Sequence, residues 1–192
     1  MNIENEGILI FSIIVISGFL SYSIFFSDNL EKVKSTVDDQ YYLVQNREDS
    51  LDAANLIANI RSKLEILVEH LIKTHPADDI RIQMLKQNFK PEKIKEGDEK
   101  SGYTSYSINK GEQIVLCLRN KDSLVDMNTM LFVVLHELAH LATESIGHEP
   151  EFWENFKWIL EESINIGIYT KKDYSKESVE YCGMSISTTP LA

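Results

Sequence analysis

The chain has 192 residues, 43% of them hydrophobic and 26% charged, which is typical of a globular protein with room for one main domain and a short accessory segment. Its formal net charge of −11 disfavours general nucleic-acid binding, which needs a basic surface to displace the counterions of the phosphates. The two cysteines, Cys117 and Cys182, lack the spacing of a thiolate zinc site. One bridge between them is possible, and two buried free thiols are expected if the domain faces a reducing compartment.

An uncharged stretch rich in Ile and Phe occupies residues 7–26, after a short acidic tail at residues 1–6. A helix of about 20 apolar residues spans the hydrocarbon core of a bilayer. The acidic tail and the bulky residues that end the stretch are unlike a cleaved signal peptide, so we expect a permanent single-pass membrane anchor. Lys32 and Lys34 follow the stretch and no basic residue precedes it, which predicts that the C-terminal domain lies in the cytosol.

The remainder of the chain divides into a predicted stalk, residues 27–49, and a predicted domain, residues 50–192. Apolar residues recur at three-to-four spacing over 50–74, which predicts an amphipathic helix. A shorter helix is predicted over 77–88, and residues 90–102 are predicted to be a charged loop. Neither helix carries recognisable chemistry, and we interpret both as packing scaffold.

A β-hairpin is predicted over residues 103–119, where two β-prone runs flank Asn109, Lys110 and Gly111. These three turn residues tolerate positive φ. If one of the two strands lies at a sheet edge beside the functional site, it could receive an extended peptide as an added strand.

The strongest chemical signal is the sequence HELAH at His136 to His140, inside an apolar run that Asp126 or Asn128 can cap as a helix. Residues four apart lie one turn apart on the same face, so both imidazoles can reach one ion. Glu137 lies beside them and is placed to take a proton from metal-activated water, as in HExxH sites. Burying these groups without a metal would be costly, so the pattern predicts a zinc site.

A catalytic zinc site usually takes three protein ligands and leaves one position for water. His148 is the favoured third ligand, because Gly147 permits a chain reversal after the helix and Pro150 suits the first turn of the next one. Glu161, on that next helix, is the alternative. Glu144 is a candidate to hold an imidazole N–H, or else an exposed glutamate.

The C-terminal residues, 169–192, are expected to be short, polar and irregular. Tyr181 is the favoured donor to the oxyanion that forms when a peptide carbonyl is attacked, and a packed tyrosine is the alternative. Met184 is expected to be a core methionine rather than one that lies beneath the metal.

HELAH, followed by a histidine and an aromatic pair at His148, Phe152 and Trp153, resembles the WLM and SprT-like zincin metallopeptidases. With the YCGM sequence at residues 181–184 added, this pattern resembles membrane-anchored WLM-like proteins of large DNA viruses, which implies a host or virion membrane. The resemblance implies an α+β, mainly helical zincin-like domain with a small hairpin or sheet, a catalytic Zn²⁺ and peptidase activity.

We therefore expect a membrane-anchored zinc metallopeptidase that hydrolyses a protein or peptide substrate, binds no nucleic acid and uses Glu137 as general base. Two alternatives remain open at this point. The chain could be an inactive membrane-tethered scaffold that keeps its metal ligands, or a structural virion membrane protein whose histidines merely pack.

Overall fold

The structure is a computed structural model that describes residues 29–98 and 104–191. The tail and the membrane anchor expected at residues 1–6 and 7–26 lie outside the described residues. Within the described part of the chain, no helix combines the length and the apolar character needed to cross a membrane.

An antiparallel hairpin of β1 (Leu30–Lys34) and β2 (Tyr41–Gln45) occupies most of the segment that was predicted to be a stalk, residues 27–49. Tyr42 and Val44 are buried in the hydrophobic core. The alternation of buried and exposed positions along β2 marks one face that packs on the domain. The folded unit therefore begins before residue 50, and the stalk prediction is wrong for these strands.

Two helices follow, α1 (Ser50–Thr74) and α2 (Ile80–Asn88). The bounds of α1 are those predicted from its apolar periodicity, and its buried face runs along the core from Ala53 to Leu71. The second helix starts later than residue 77, because the Asp79 side chain accepts a hydrogen bond from the backbone N–H of Arg81 and caps it.

A three-stranded sheet has the order β3–β5–β4, with β3 (Ile94–Glu96) parallel and β4 (Tyr106–Ile108) antiparallel to β5 (Gln113–Leu116). The predicted hairpin is confirmed. Strand β3 was missed, because it lies in the segment 90–102 that its charges made look like a loop. Its Glu96 is fully buried, which only a tertiary partner explains.

The turn between β4 and β5 has positive φ at Asn109, Lys110 and Gly111, as its residue types predict. At Gly111 a Cβ atom would lie 2.2 Å from the backbone oxygen of Asn88, so only glycine permits this close approach to the end of α2.

A short hairpin of β6 (Arg119–Asn120) and β7 (Ser123–Leu124) leads into α3 (Met127–Leu141), and α4 (Pro150–Asn165) follows. The Asp126 side chain caps α3 by accepting from the backbone N–H of Thr129 at 3.0 Å. Helix α3 packs against α1 and α4 and is buried over most of its surface, as its apolar run predicts.

The C-terminal segment forms an antiparallel hairpin of β8 (Val179–Tyr181) and β9 (Met184–Ile186), so the expectation of an irregular segment over 169–192 is wrong here. Cys117 and Cys182 form a disulfide that joins this hairpin to the chain just after β5. Of the two states considered for these cysteines, the structure has the bridge and not two free thiols. The fold class is confirmed as mixed α+β, with four α-helices and small sheets among the described residues.

Candidate metal centre

Helix α3 presents His136 and His140 one turn apart on the same face, and their ring centroids lie 5.0 Å apart. His148 comes back to the same place from beyond the helix, with its Nε2 atom 3.0 Å from Nε2 of His136. One nitrogen from each of the three imidazoles lies within 4.8 Å of the others. One ion could therefore reach all three side chains.

The return of His148 depends on the loop between α3 and α4. Gly147 has φ +86°, and Pro150 occupies the first turn of α4. The Glu151 carboxylate accepts hydrogen bonds from the backbone N–H groups of Glu144 and Ser145, at 3.2 and 3.1 Å. These contacts close the loop onto the start of α4 and fix the direction in which His148 leaves it.

The loop is also held where it leaves α3, around Leu141 and the residues that follow it. The Lys110 ammonium, from the β4–β5 turn, donates to the backbone oxygens of Thr143 and Glu144 at 2.9 and 2.5 Å. The Asn88 side chain donates to the backbone oxygen of Leu141 at 3.0 Å. The β4–β5 turn and α2 therefore help to position the segment that carries His148.

Phe152 lies beneath the three histidines and is fully buried. Its ring centroid is 4.3 Å from that of His140, 4.8 Å from that of His136 and 4.7 Å from that of His148. A rigid ring in contact with all three imidazoles limits their rotation, which orients them for a common ligand.

The donor set fits a zinc ion. Burial and the neighbouring imidazoles lower the pKa of His136 to about 3 and that of His140 to about 4. Both rings are therefore neutral near pH 7, which is the form that binds metal. Three imidazoles with access to a cleft match the ligands of a catalytic zinc site.

Glu137 is 5% exposed and lies beside the histidines at the edge of the cleft. Burial raises its pKa to about 7, although hydrogen bonds from the hydroxyl and the backbone N–H of Ser107 act in the opposite direction. A carboxyl group with a pKa near 7 can both accept and release a proton under physiological conditions.

Tyr181 is 2% exposed, and its hydroxyl lies in a closed hydrogen-bond network. The phenol donates to the backbone oxygen of Cys117 at 2.9 Å and lies 2.5 Å from Oγ of Ser105. Ser105 in turn accepts from the backbone N–H of Cys117 at 3.0 Å. Tyr181 lines the cleft near Glu137, but its proton is already shared with a protein carbonyl.

Three other residues that were singled out from the sequence lie outside the histidine cluster. Glu161 is half-exposed and pairs with Lys157, and it is not part of the histidine cluster. Glu144 is exposed, and its backbone N–H and oxygen make its contacts with Glu151 and Lys110. Met184 is 48% exposed on the cleft wall, so the expectation of a core methionine is wrong.

An open cleft of about 850 Å³ contains the histidine cluster. Its lining comes from α3, from β4 with the following turn, from the loop before α4 with the first turns of α4, and from the β8–β9 hairpin with residues 187 and 188. Strand β4 is at the edge of its sheet, since β5 is the strand that pairs with it in the described part of the chain. The cleft is large enough for several residues of an extended peptide.

The sequence did not predict a role at the site for Ser105, Ser107, Lys110 or Phe152. The two serines were visible only as polar positions in a strand, and nothing in their spacing relates them to Glu137 or Tyr181. Phe152 was noticed as part of an aromatic pair, but its contact with the histidines depends on the packing of α4 against α3.

Comparisons with known proteins give a consistent set of relatives. The WLM domain profile matches residues 40–189. An uncharacterized protein of Acanthamoeba polyphaga mimivirus is 33% identical over 159 residues, covering 80% of this chain and 81% of that protein. An uncharacterized protein of Invertebrate iridescent virus 6 is 30% identical over 161 residues, covering 78% of this chain and 85% of that protein.

Two solved structures are also similar, those of Wss1 and of a Wss1 mutant from Saccharomyces cerevisiae. Their TM-scores are 0.46 and 0.48, with 19% and 20% sequence identity. The similarity covers 64% and 66% of this chain, and 85% and 91% of the Wss1 chains.

Proposed function

Because the chain belongs to the WLM domain family, we propose that it is a zinc-dependent metallopeptidase with Glu137 as general base. The observation that carries this proposal is the convergence of three imidazoles, from His136, His140 and His148, in an open cleft beside a buried carboxyl group. A packing role for the histidines would not need this carboxyl group or access to the cleft.

The proposed division of labour follows from the geometry. The three histidines would hold the zinc ion, which supplies Lewis acidity that makes water a better nucleophile and polarises the scissile carbonyl. Glu137 takes the proton of the attacking water and transfers it to the nitrogen of the departing amine. Ser107 orients the Glu137 carboxyl group, and Phe152 keeps the imidazoles directed at one point.

The substrate is proposed to be a protein or peptide rather than a nucleic acid, in keeping with the net charge of −11. Strand β4 lies at the edge of its sheet among the described residues and lines the cleft, so an extended segment could add to the sheet as a further strand. Pairing through the backbone would hold the peptide in register while Glu137 acts on it.

Tyr181 is proposed as the donor to the oxyanion. Its hydroxyl now donates to the Cys117 carbonyl, so this role requires the phenol to exchange that acceptor for the developing negative charge. Ser105 and the disulfide at Cys117 keep the phenol close to the cleft during the exchange.

The central experiment compares the full chain, purified in detergent and loaded with zinc, with its Glu137→Gln variant on a peptide library. Wild type should cleave, and Glu137→Gln should keep its zinc while losing activity by about 100-fold or more. Glu161→Gln, which removes an exposed carboxylate of α4, is the matched control and should retain full activity. Equal turnover by wild type and Glu137→Gln would reject the mechanism. Zinc binding without any cleavage would favour the inactive scaffold.

We propose in addition that residues 7–26 anchor the protein in a membrane and that, like its relatives, it is a viral protein. The sodium carbonate wash that strips peripheral proteins should leave the wild type in the membrane fraction, whereas Ile13→Lys with Val15→Lys should release it. Recovery of the wild type in the wash would reject the anchor.

The compartment that the domain faces is also a matter of proposal. Lys32 and Lys34 favour the cytosol, whereas a disulfide forms and persists in oxidising surroundings. We give the disulfide more weight, because the charge argument depends on two lysines alone. The proposed location of the domain is therefore the oxidising side of the membrane.

A further inference from the structure

Three large apolar side chains remain open to water although they lie on three separate segments around one cleft. Ile146 is 87% exposed in the loop before α4, Trp153 is 41% exposed on the first turn of α4, and Met184 is 48% exposed on β9. Exposed apolar side chains that gather at one place mark a binding surface more often than chance exposure. These three residues are called the apolar rim below.

The apolar rim continues into the cleft and reaches the histidines. The Trp153 ring lies 5.8 Å from the ring of His148 and 6.3 Å from that of Phe156. Phe156 is buried, and its ring lies 5.2 Å from that of His136. Aromatic and aliphatic surface therefore extends from solvent to the point at which the proposed reaction takes place.

The β8–β9 hairpin carries Met184 of the apolar rim and also Ile186, and it is held in place at its base. The disulfide joins Cys182 to Cys117, which lies just after β5. The Asn120 side chain donates to the backbone oxygen of Glu180 and accepts from the backbone N–H of Cys182, both at 2.5 Å. An apolar wall that is fixed before the ligand arrives loses little conformational freedom on binding, which favours selective recognition.

The charged groups of the cleft are engaged elsewhere. The Lys110 ammonium donates to two backbone oxygens at the end of α3, and Glu137 lies at the catalytic end beside Ser107. A charged side chain that entered the space between Trp153 and Met184 would lose its hydration without gaining a partner from the apolar rim.

We infer that the cleft selects polypeptides by a bulky apolar side chain, of the Leu, Met or Phe class, next to the bond that is cut. The apolar rim and Ile186 receive this side chain while the backbone of the substrate lies over the histidines. Selection at the scissile bond rests on the proposed peptidase function. The volume of about 850 Å³ leaves room for such a side chain together with the neighbouring residues of an extended segment.

The test uses peptides that differ at a single position, with Phe, Leu, Ser or Asp next to the cleaved bond. Binding to the zinc-loaded Glu137→Gln full chain is measured by fluorescence anisotropy, and cleavage is measured with the wild type. The Phe and Leu peptides should bind about 10- to 100-fold more tightly than the Ser peptide, the ratio expected for the burial of one such side chain. The Asp peptide should bind most weakly.

Met184→Ser and Trp153→Ser, each placed in the Glu137→Gln background, should reduce this preference for apolar peptides several-fold. The matched control is Ile66→Ser, which removes an apolar side chain that is 53% exposed on α1 and does not line the cleft. Because all three side chains are substantially exposed, the variants are expected to fold, and thermal unfolding checks this.

Two results would overturn the inference. One is equal affinity for the four peptides. The other is a preference for apolar peptides that Met184→Ser and Trp153→Ser reduce no more than Ile66→Ser does. A different result would overturn the peptidase proposal instead, namely apolar-selective binding with no cleavage by the wild type. The inference on selectivity would then stand for a peptide-binding cleft.

Discussion

Charge on any ionisable side chain of α3 is costly, because the helix is buried over most of its surface. His136 and His140 avoid charge by staying neutral, and Glu137 holds its proton up to about pH 7. Neutral groups that crowd together this closely still repel through their lone pairs unless a donor or an ion intervenes. A zinc ion would remove this repulsion and stabilise the folded chain.

The role of His148 can be separated from that of Glu161. We predict that His148→Ala lowers zinc affinity by at least about 100-fold, because one of three ligands is lost, and that Glu161→Ala leaves it unchanged. Competition with a fluorescent zinc chelator measures both values. A zinc affinity that falls in Glu161→Ala and not in His148→Ala would assign the third ligand to α4.

For Tyr181 we predict that removal of the hydroxyl in Tyr181→Phe lowers kcat by about 100-fold and changes KM little, because an oxyanion donor acts in the transition state. Ser105→Ala is the companion variant, which removes the partner of the phenol and leaves the phenol in place. It should retain most of the activity. If Tyr181→Phe lowered the melting temperature and left kcat unchanged, the residue would be structural.

At the scale of elements, the disulfide is the covalent attachment of the β8–β9 hairpin. Cys117 and Cys182 are separated by 65 residues, so the bridge restricts a long loop in the unfolded chain. We predict that Cys117→Ser with Cys182→Ser lowers the free energy of unfolding by about 4 kcal/mol in urea denaturation. Dithiothreitol should destabilise the wild type similarly and leave the double variant unaffected. Equal stability with and without the bridge would contradict this account.

The β1–β2 hairpin is joined to the central sheet through a buried ionic network. Glu96 of β3 accepts from the Arg119 guanidinium and from the backbone N–H of Gln45, the latter at 2.7 Å, and Arg119 also donates to Asp49 at 2.7 Å. Arg119 is 6% exposed and Glu96 is fully buried. The network therefore connects three parts of the chain that are distant in the sequence, namely residues 45–49, β3 and β6.

We predict that Arg119→Met destabilises the chain by about 3 to 5 kcal/mol, because it leaves the Glu96 carboxylate buried without its cation. Lys73→Met removes one partner of an exposed ion pair with Glu69 and should leave stability nearly unchanged. Urea denaturation of the two variants makes the comparison. Similar stability in both variants would mean that the buried Glu96 carboxyl group does not depend on the Arg119 guanidinium.

The elements that could be predicted from sequence are those whose conformation is set by residues close to them in the chain. The long apolar periodicity of α1, the capping residue of α3 and the turn at Asn109 to Gly111 are all determined by near neighbours. The short strands β3, β8 and β9 each have three residues, and their pairing depends on partners that are remote in the chain or on a two-residue turn. Charge in β3 concealed its burial, because the compensating Arg119 lies 23 residues away.

At the scale of the whole molecule, the candidate site was predictable to the extent that its chemistry lies in one helix and the following loop. HELAH and the glycine before His148 sufficed to name the three histidines and Glu137. The residues that hold them come from α2, β4, the β4–β5 turn and α4, and only the packing of the domain brings these together. The support of a site is therefore less visible in a sequence than its ligands.

The mixed α+β class was implied by the family resemblance and agrees with the predicted hairpin and helices, and the structure confirms it. The limits of the domain did not follow, because the polar composition of residues 27–49 hid a hairpin whose inner face is buried.

The most direct measurement is a crystal structure of the zinc-loaded chain, with anomalous data collected at the zinc absorption edge. We predict one anomalous peak within about 2.0 to 2.1 Å of a nitrogen of His136, His140 and His148, with one further position open toward the cleft. A peak bound by two histidines and the Glu161 carboxylate, with the His148 ring directed away, would contradict the proposed centre. A folded, zinc-saturated chain with no peak at these histidines would contradict the metallopeptidase itself.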